Sequence, residues 1–129
     1  MSCNRVIRAT SYTVGSSFNI NTDFNINALT NCQRFVLTLP VDLPAMTTIV
    51  PVVLVINVNG VATNIPMQDI VGNDLMSDQL RFFCRKGNCD CNRMGVARII
   101  YGSNPAHFKV LQCLPESSAI SFNENGGNA

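Results

Sequence analysis

The dipeptide Asn59-Gly60 lies between two runs of β-forming residues, and it constrains the fold more than any other feature of the sequence. The run before it, TTIVPVVLVINV at residues 47–58, is apolar almost throughout, and VATNI at residues 61–65 follows it. Asn-Gly favours a two-residue hairpin turn because both turn positions need a positive φ. The sequence therefore predicts a β-hairpin with Asn59 and Gly60 at its turn.

Alternation of apolar and polar residues predicts further strands on both sides of this hairpin. The segments FNINTDFNIN and RFVLTL follow this period, and Pro, Gly and Asn residues separate the apolar segments. About eight short strands with this spacing are typical of an all-β fold, namely an antiparallel β-sandwich of the jelly-roll or immunoglobulin-like type. The predicted strands include residues 18–27, 34–39, 47–58, 61–65, 96–101, 107–111 and 119–122.

The predicted organisation is a single β-sandwich domain at residues 17–122 between two polar segments. Residues 1–16 are predicted to form an extended N-terminal arm, and residues 123–129 form a C-terminal tail rich in Gly and Asn. The long apolar run at residues 47–58 predicts a strand that is covered on both faces. The predicted core comprises Phe35, Leu37, Val53, Leu54, Val55, Ile56, Ile99 and Phe108.

The segment DLMSDQLRFF at residues 74–83 has two interpretations. It forms one or two helical turns capped by Asp74, or it forms a loop that ends in a strand. The segment CRKGNCDCNR at residues 84–93 has no apolar period and is predicted to be an exposed loop.

The composition limits the classes of partner. Charged residues make up only 13% of the chain, about half the usual share. The net charge of +1 provides no field for phosphate or anionic lipid, so we expect neither nucleic acid nor a membrane as partner. No apolar segment follows the N-terminal residues as a secretory signal would, so synthesis in a cytoplasm is expected. A surface this poor in charge is either covered by other protein chains or made polar by Asn, Ser and Thr.

The sequence offers few candidates for catalysis. His107 is the only histidine, and a polar residue at the end of a strand is favoured over a general base or a metal ligand. Asp69, Asp74 and Asp78 lack the ligand pattern of a calcium loop and are interpreted as solvated carboxylates. We therefore predict no catalytic residue, no cofactor and no enzymatic activity.

Cysteine is the residue type that leaves most alternatives open. Three of the six cysteines, Cys84, Cys89 and Cys91, fall within eight residues, but no second pair completes a zinc pattern. They are weak metal candidates for which Cys32 or Cys113 would supply a fourth ligand. Together with Cys3 in the arm, they are also candidates for disulfides between subunits. Reduced thiols without a dedicated role are the favoured interpretation.

One ordered set of residues resembles a known class of protein. Residues 48–112 carry a strand ending in Val58-Asn59-Gly60, then a connector of the type Gly-x2-Leu at residues 72–75, then Tyr101-Gly102 before a closing strand Phe108-Lys109-Val110-Leu111. This order resembles small β modules of bacteriophage virion proteins, in particular head-decoration proteins and tail-fibre repeats. The Cys-rich segment and the length of residues 102–106 depart from that pattern.

The resemblance implies a structural subunit at the virion surface that binds copies of itself and capsid or tail proteins. It implies no catalytic residue. The alternative is a disulfide-linked subunit of a filamentous appendage on the spore surface of bacteria, because small cysteine-bearing β subunits with an N-terminal arm build such structures. A small-ligand-binding β-sandwich is a third hypothesis, disfavoured by the absence of Trp and by only two Tyr residues.

The expected mode of assembly follows from the predicted arms. Ordering a polar arm costs conformational entropy, and contacts with a neighbouring subunit offset that cost. We therefore expect residues 1–16 and 117–129 to be ordered by other chains, with the sheet edge near residues 17–27 as the contact.

Overall fold

A computed structural model of the protein describes residues 5–41, 43–44, 48–82 and 95–112. The strands of this part of the chain are β1 (Arg5–Val14), β2 (Phe18–Ile26), β3 (Arg34–Thr38), β4 (Val52–Val58), β5 (Val61–Gln68), β6 (Val96–Ser103) and β7 (Ala106–Val110), and a 3-10 helix, η1, spans Ser77–Phe82. Within these residues, no helix has the length and apolar character that a membrane span requires.

The seven strands form one closed barrel in the order β1-β2-β4-β5-β7-β6-β3, with β3 paired to β1. Four neighbouring pairs are antiparallel, and the pairs β1/β3, β2/β4 and β5/β7 are parallel. The fold is all-β as predicted, but the prediction of an antiparallel β-sandwich is wrong. Both architectures bury one face of each strand, so the apolar period does not distinguish them. The three parallel pairings close the sheet, and no local signal marks them.

Strand β1 corrects the prediction that the sandwich is flanked by an N-terminal arm. Residues Arg5–Val14 are a barrel strand with partners on both sides, β2 through pairs such as Tyr12↔Ile20 and β3 through pairs such as Ile7↔Leu37. Strand β2 in turn pairs with β1 and β4, so residues 18–26 offer no free sheet edge to another chain. The predicted strand at residues 119–122 and the C-terminal tail lie outside the described residues.

Inward-pointing side chains from every strand fill the barrel. Four aromatic rings from four strands meet edge to face, with ring centroids 5.7 Å apart for Phe24–Phe35, 5.7 Å for Phe35–Phe108 and 5.5 Å for Tyr101–Phe108. Of the predicted core residues, those that are fully buried are Phe35, Leu37, Leu54, Ile56, Ile99 and Phe108.

Val53 and Val55 are the exceptions, because both are only half-buried. Strand β4 has one buried face, formed by Val52, Leu54 and Ile56, and the prediction that it is covered on both faces is wrong. A closed barrel has one interior, and among the described residues no second sheet covers the outer face of β4.

The hairpin prediction is confirmed at its turn. Asn59 has φ 52° and Gly60 has φ 80°, and the strands on either side pair antiparallel from Val58↔Val61 to Val53↔Pro66. This turn marks one end of the barrel, which we call the Asn59 end. The β1–β2 turn at Gly15 marks the opposite end, which we call the Gly15 end.

Of the segment 74–83 the structure describes residues 74–82, and there the helical interpretation is the correct one, because η1 spans Ser77–Phe82, but Asp74 is not the cap. Gln79 Oε1 accepts a hydrogen bond from Met76 N at 2.9 Å, which satisfies a backbone donor at the start of η1. Ser77 Oγ accepts a hydrogen bond from Val50 N at 3.1 Å and ties the same turn to the segment before β4.

Candidate assembly surfaces

Positive charge is concentrated on one wall of the barrel. Strands β1, β3, β6 and β7 contain no Asp or Glu. Their outward positions carry Arg8, Arg34 and Arg98, which are exposed, and Lys109, which is half-buried. We call this wall the basic face, and it consists of Val6, Arg8, Arg34, Val36, Thr38, Arg98, Ile100 and Lys109.

Strand register places apolar side chains between these cations. Val6 pairs with Val36, and Val36 pairs with Arg98, so the three residues form a row across β1, β3 and β6. In the neighbouring rows, Arg8 pairs with Thr38, and Ile100 pairs with both Arg34 and Lys109. Val6 is 53% exposed, and Val36 and Ile100 are half-buried. The face thus combines exposed aliphatic surface with an excess of positive charge, a pattern found at protein interfaces.

The opposite wall, formed by β2, β4 and β5, is polar and nearly uncharged. Its outward residues are mostly Asn, Thr and Val, and Asp23 is the one charged residue on these strands. Asn21 Nδ2 donates to Thr13 Oγ1 at 2.9 Å and to Ser11 Oγ at 3.2 Å on β1. Because these polar side chains hydrogen-bond to one another within the sheet, fewer of their donors and acceptors are available to a partner.

A loop at the Gly15 end carries the opposite charge. Residues 69–74, which we call the acidic loop, connect β5 to the segment before η1 and contain Asp69 and Asp74. Val71 at its tip is 74% exposed, the largest exposed fraction among the large apolar residues in the described part of the chain. Ile70 beside it is 38% exposed.

A shallow polar pocket of about 320 Å³ lies at the Asn59 end. Arg5, Asn25, Asn27, Ile26 and Gly60 line it. The Arg5 guanidinium lies 5.0 Å from the centroid of the Phe24 ring, which fixes the cation at the rim by a cation–π contact. The pocket opens widely to solvent, and the described residues that line it include no base or nucleophile.

His107 packs against a neighbouring strand. It is half-buried on β7, and its Nδ1 lies 2.7 Å from the carbonyl oxygen of Pro105. Its ring packs against Gly102 of β6, where an added Cβ would clash with it. The register pair Gly102↔His107 explains why a glycine occupies this position.

The three aspartates predicted to be solvated differ in their surroundings. Asp69 Oδ1 accepts hydrogen bonds from Val71 N and Asn73 N, at 3.0 and 2.9 Å, so its carboxylate shapes the acidic loop. Asp74 is exposed, whereas Asp78 is buried in η1, contrary to the prediction. No three His, Cys, Asp or Glu side chains among the described residues form a cluster that could hold a metal ion.

Cys32 is the one cysteine that the structure describes, and it is exposed with a free thiol. It lies at the Asn59 end with φ 69°, where its backbone N donates to Tyr101 O at 2.8 Å. The candidates Cys3, Cys84, Cys89 and Cys91, and also Cys113, lie outside the described residues. Gly95, the described residue that follows the Cys-rich segment, precedes β6 at the Gly15 end, so the length of the barrel separates it from Cys32.

Sequence reasoning missed the basic face. Arg34, Arg98 and Lys109 occupy the polar positions of predicted alternating strands, where charged residues are ordinary. The sequence signal that could have indicated the basic face was the lack of any carboxylate on these strands. Which strands lie side by side follows from barrel closure, and the sequence does not show it.

No protein-family model, no curated protein and no solved structure matches this chain.

Proposed function

We propose that the chain is a non-enzymatic structural subunit of the bacteriophage virion-surface type, a capsid decoration or fibre-type protein. It acts by binding copies of itself and other proteins of the same particle. The observation that supports association with other proteins is the basic face, where the exposed Val6 and the half-buried Val36 and Ile100 lie among four cations on strands without a carboxylate.

Closure of the barrel determines which mode of association is available. Each described strand has a hydrogen-bonded neighbour on both sides, so addition of a foreign strand to a sheet edge is disfavoured. Association therefore takes place through the outer face and the end loops. This replaces the expectation that a sheet edge near residues 17–27 forms the contact.

The chemistry of the basic face favours a protein partner over nucleic acid. Single-stranded nucleic acid is bound by aromatic side chains on which bases stack, and the basic face contains none. Val6, Val36 and Ile100 offer aliphatic surface, which phosphate groups do not use but a protein interface does. A protein surface with carboxylates around an apolar centre is the complementary partner.

Sedimentation velocity of the intact chain over a range of concentrations tests this proposal. The double variant Arg8→Gln/Arg98→Gln removes two positive charges from the basic face, and we expect it to weaken self-association by about tenfold or more. The control Asn27→Asp/Asn64→Asp changes the net charge equally, but at exposed positions outside the face, and should associate like the wild type. A reductant in all samples prevents disulfides at Cys3, Cys84, Cys89 and Cys91 from contributing.

Two outcomes would count against the proposal. A wild-type chain that stays monomeric at every concentration would contradict self-association. A double variant that associates as strongly as the wild type would remove the basic face from the interface.

A further inference from the structure

We propose that the acidic loop of one copy docks on the basic face of a second copy. This inference rests on the proposed function and specifies its contact. The loop and the face lie on different parts of the barrel. In the proposed contact, the loop of one chain binds the face of a neighbouring chain.

The acidic loop is held in one conformation by its own hydrogen bonds. Asp69 N donates to Asn73 O at 2.8 Å, and Gly72 N donates to Asp69 O at 3.1 Å. Gly72 has φ 96°, which a glycine adopts without strain and which turns the chain at the tip. A loop that is already ordered loses little conformational entropy when it binds.

The tip of the loop displays apolar surface that its own chain does not use. Val71 is 74% exposed and Ile70 is 38% exposed, although the backbone around them is well hydrogen-bonded. On the basic face, Val6 is 53% exposed. Because both valines remain exposed in the single chain, they do not pack on each other within one copy. Burial of Val71 against Val6, Val36 and Ile100 of a neighbour would remove both apolar surfaces from water.

Charge is complementary around this apolar centre. Asp69 and Asp74 flank Ile70 and Val71, and the two carboxylates bring negative charge to the rim of the contact. The basic face surrounds Val6 and Val36 with Arg8 and Arg98, and β1, β3, β6 and β7 hold no acid that would repel the loop. Opposite charges around an apolar centre steer the approach and fix the orientation of two partners.

The contact joins two different surfaces, so the symmetry of the assembly follows from the angle between docked copies. In a two-fold dimer, two reciprocal contacts use both loops and both faces. Where the contact is not reciprocal, each docked pair leaves one loop and one face free, and the contact repeats to form a ring or an open filament.

A pair of valine variants tests the loop. Val71→Lys places a cation where the loop would meet the basic face, and we expect self-association to weaken by at least about tenfold. Val61→Lys is the matched control, because Val61 is 64% exposed and lies at the Asn59 end, away from the acidic loop. Far-UV circular dichroism verifies that both variants are folded. If Val71→Lys associates like Val61→Lys, the inference is overturned.

Mixing two variants tests the pairing itself. Val71→Lys keeps an intact basic face, and Arg8→Gln/Arg98→Gln keeps an intact acidic loop, so at a concentration at which the wild type associates each variant alone should be monomeric. Mixed in equal amounts, they should form a one-to-one dimer that does not grow, because only one productive contact remains. A mixture that stays monomeric overturns the inference.

The same measurements separate this inference from the proposed function. If Arg8→Gln/Arg98→Gln weakens association but Val71→Lys does not, the basic face binds another part of the partner and only the inference fails. If the wild type does not associate at all, both fail.

Discussion

At the scale of single residues, the Asn59-Gly60 turn is the most local determinant of this fold. Both residues have positive φ, which Asn tolerates and Gly adopts freely, and the paired strands β4 and β5 leave the turn in register. The signal is contained in two adjacent residues, so it could be predicted without any knowledge of the tertiary structure.

Gly60→Val should destabilise the protein through its backbone alone. Apart from its chain neighbours, no atom of the described residues lies within 4 Å of the position that a Cβ would occupy, so steric contact is not the cause. The φ of 80° is the cause, because a β-branched residue in this region costs about 1–3 kcal/mol. Gly15→Val is the control, since Gly15 also has open space around it but no positive φ, and it should cost about 0.5 kcal/mol or less. Equal free energies of unfolding in urea for the two variants would contradict this explanation.

Gly95 illustrates what the sequence does not reveal at this scale. It has φ 53°, and an added Cβ would lie 2.7 Å from Leu39 Cβ. Leu39 N also donates to Gly95 O at 2.7 Å. The contact joins the ends of β3 and β6, which are neighbours only because the barrel brings them together, so nothing in the sequence around Gly95 indicates it.

At the scale of elements, β4 shows how far an apolar pattern can be interpreted. The run of β-branched residues correctly predicted a strand, but it did not indicate that one face of the strand is only half-buried. Val and Ile are favoured in strands on both faces, so a half-buried outer face can carry Val53 and Val55 without a covering layer. The burial of Leu54 and Ile56 follows from their position on the inner side of the pleat.

Truncation of neighbouring residues on β4 should expose this difference. Leu54→Ala removes a fully buried side chain from the barrel interior and should cost about 2–5 kcal/mol in the free energy of unfolding. Val53→Ala, one residue earlier on the outer face, should cost about 1 kcal/mol or less, mainly through strand propensity. Urea denaturation followed by far-UV circular dichroism measures both values. Similar losses for the two variants would mean that the outer face of β4 is as closely packed as the interior.

At the scale of the whole molecule, closure of the barrel could not be predicted from the sequence. Apolar alternation located the strands from residue 18 to residue 110, but pairings such as Ile7↔Leu37 and Met67↔Phe108 join segments that are far apart in sequence and parallel in direction. The same closure creates the basic face, since it brings β1 beside β3, which in turn pairs with β6. The polar residues of β1 concealed its role, because Ile7 and Ala9 are its only fully buried members.

Deletion of residues 1–16 should therefore abolish the fold instead of releasing a dispensable arm. Strand β1 supplies hydrogen bonds to β2 and β3 on its two sides and places Ile7 in the core. Its removal opens the barrel and leaves two unpaired edges, which promote aggregation. We expect the truncated chain to lose its cooperative thermal transition by far-UV circular dichroism. Addition of a synthetic peptide of residues 1–16 provides the control, because it should restore the transition by pairing between β2 and β3. A truncated chain that melts like the intact protein would show that the other six strands of the described barrel form a stable sheet without β1.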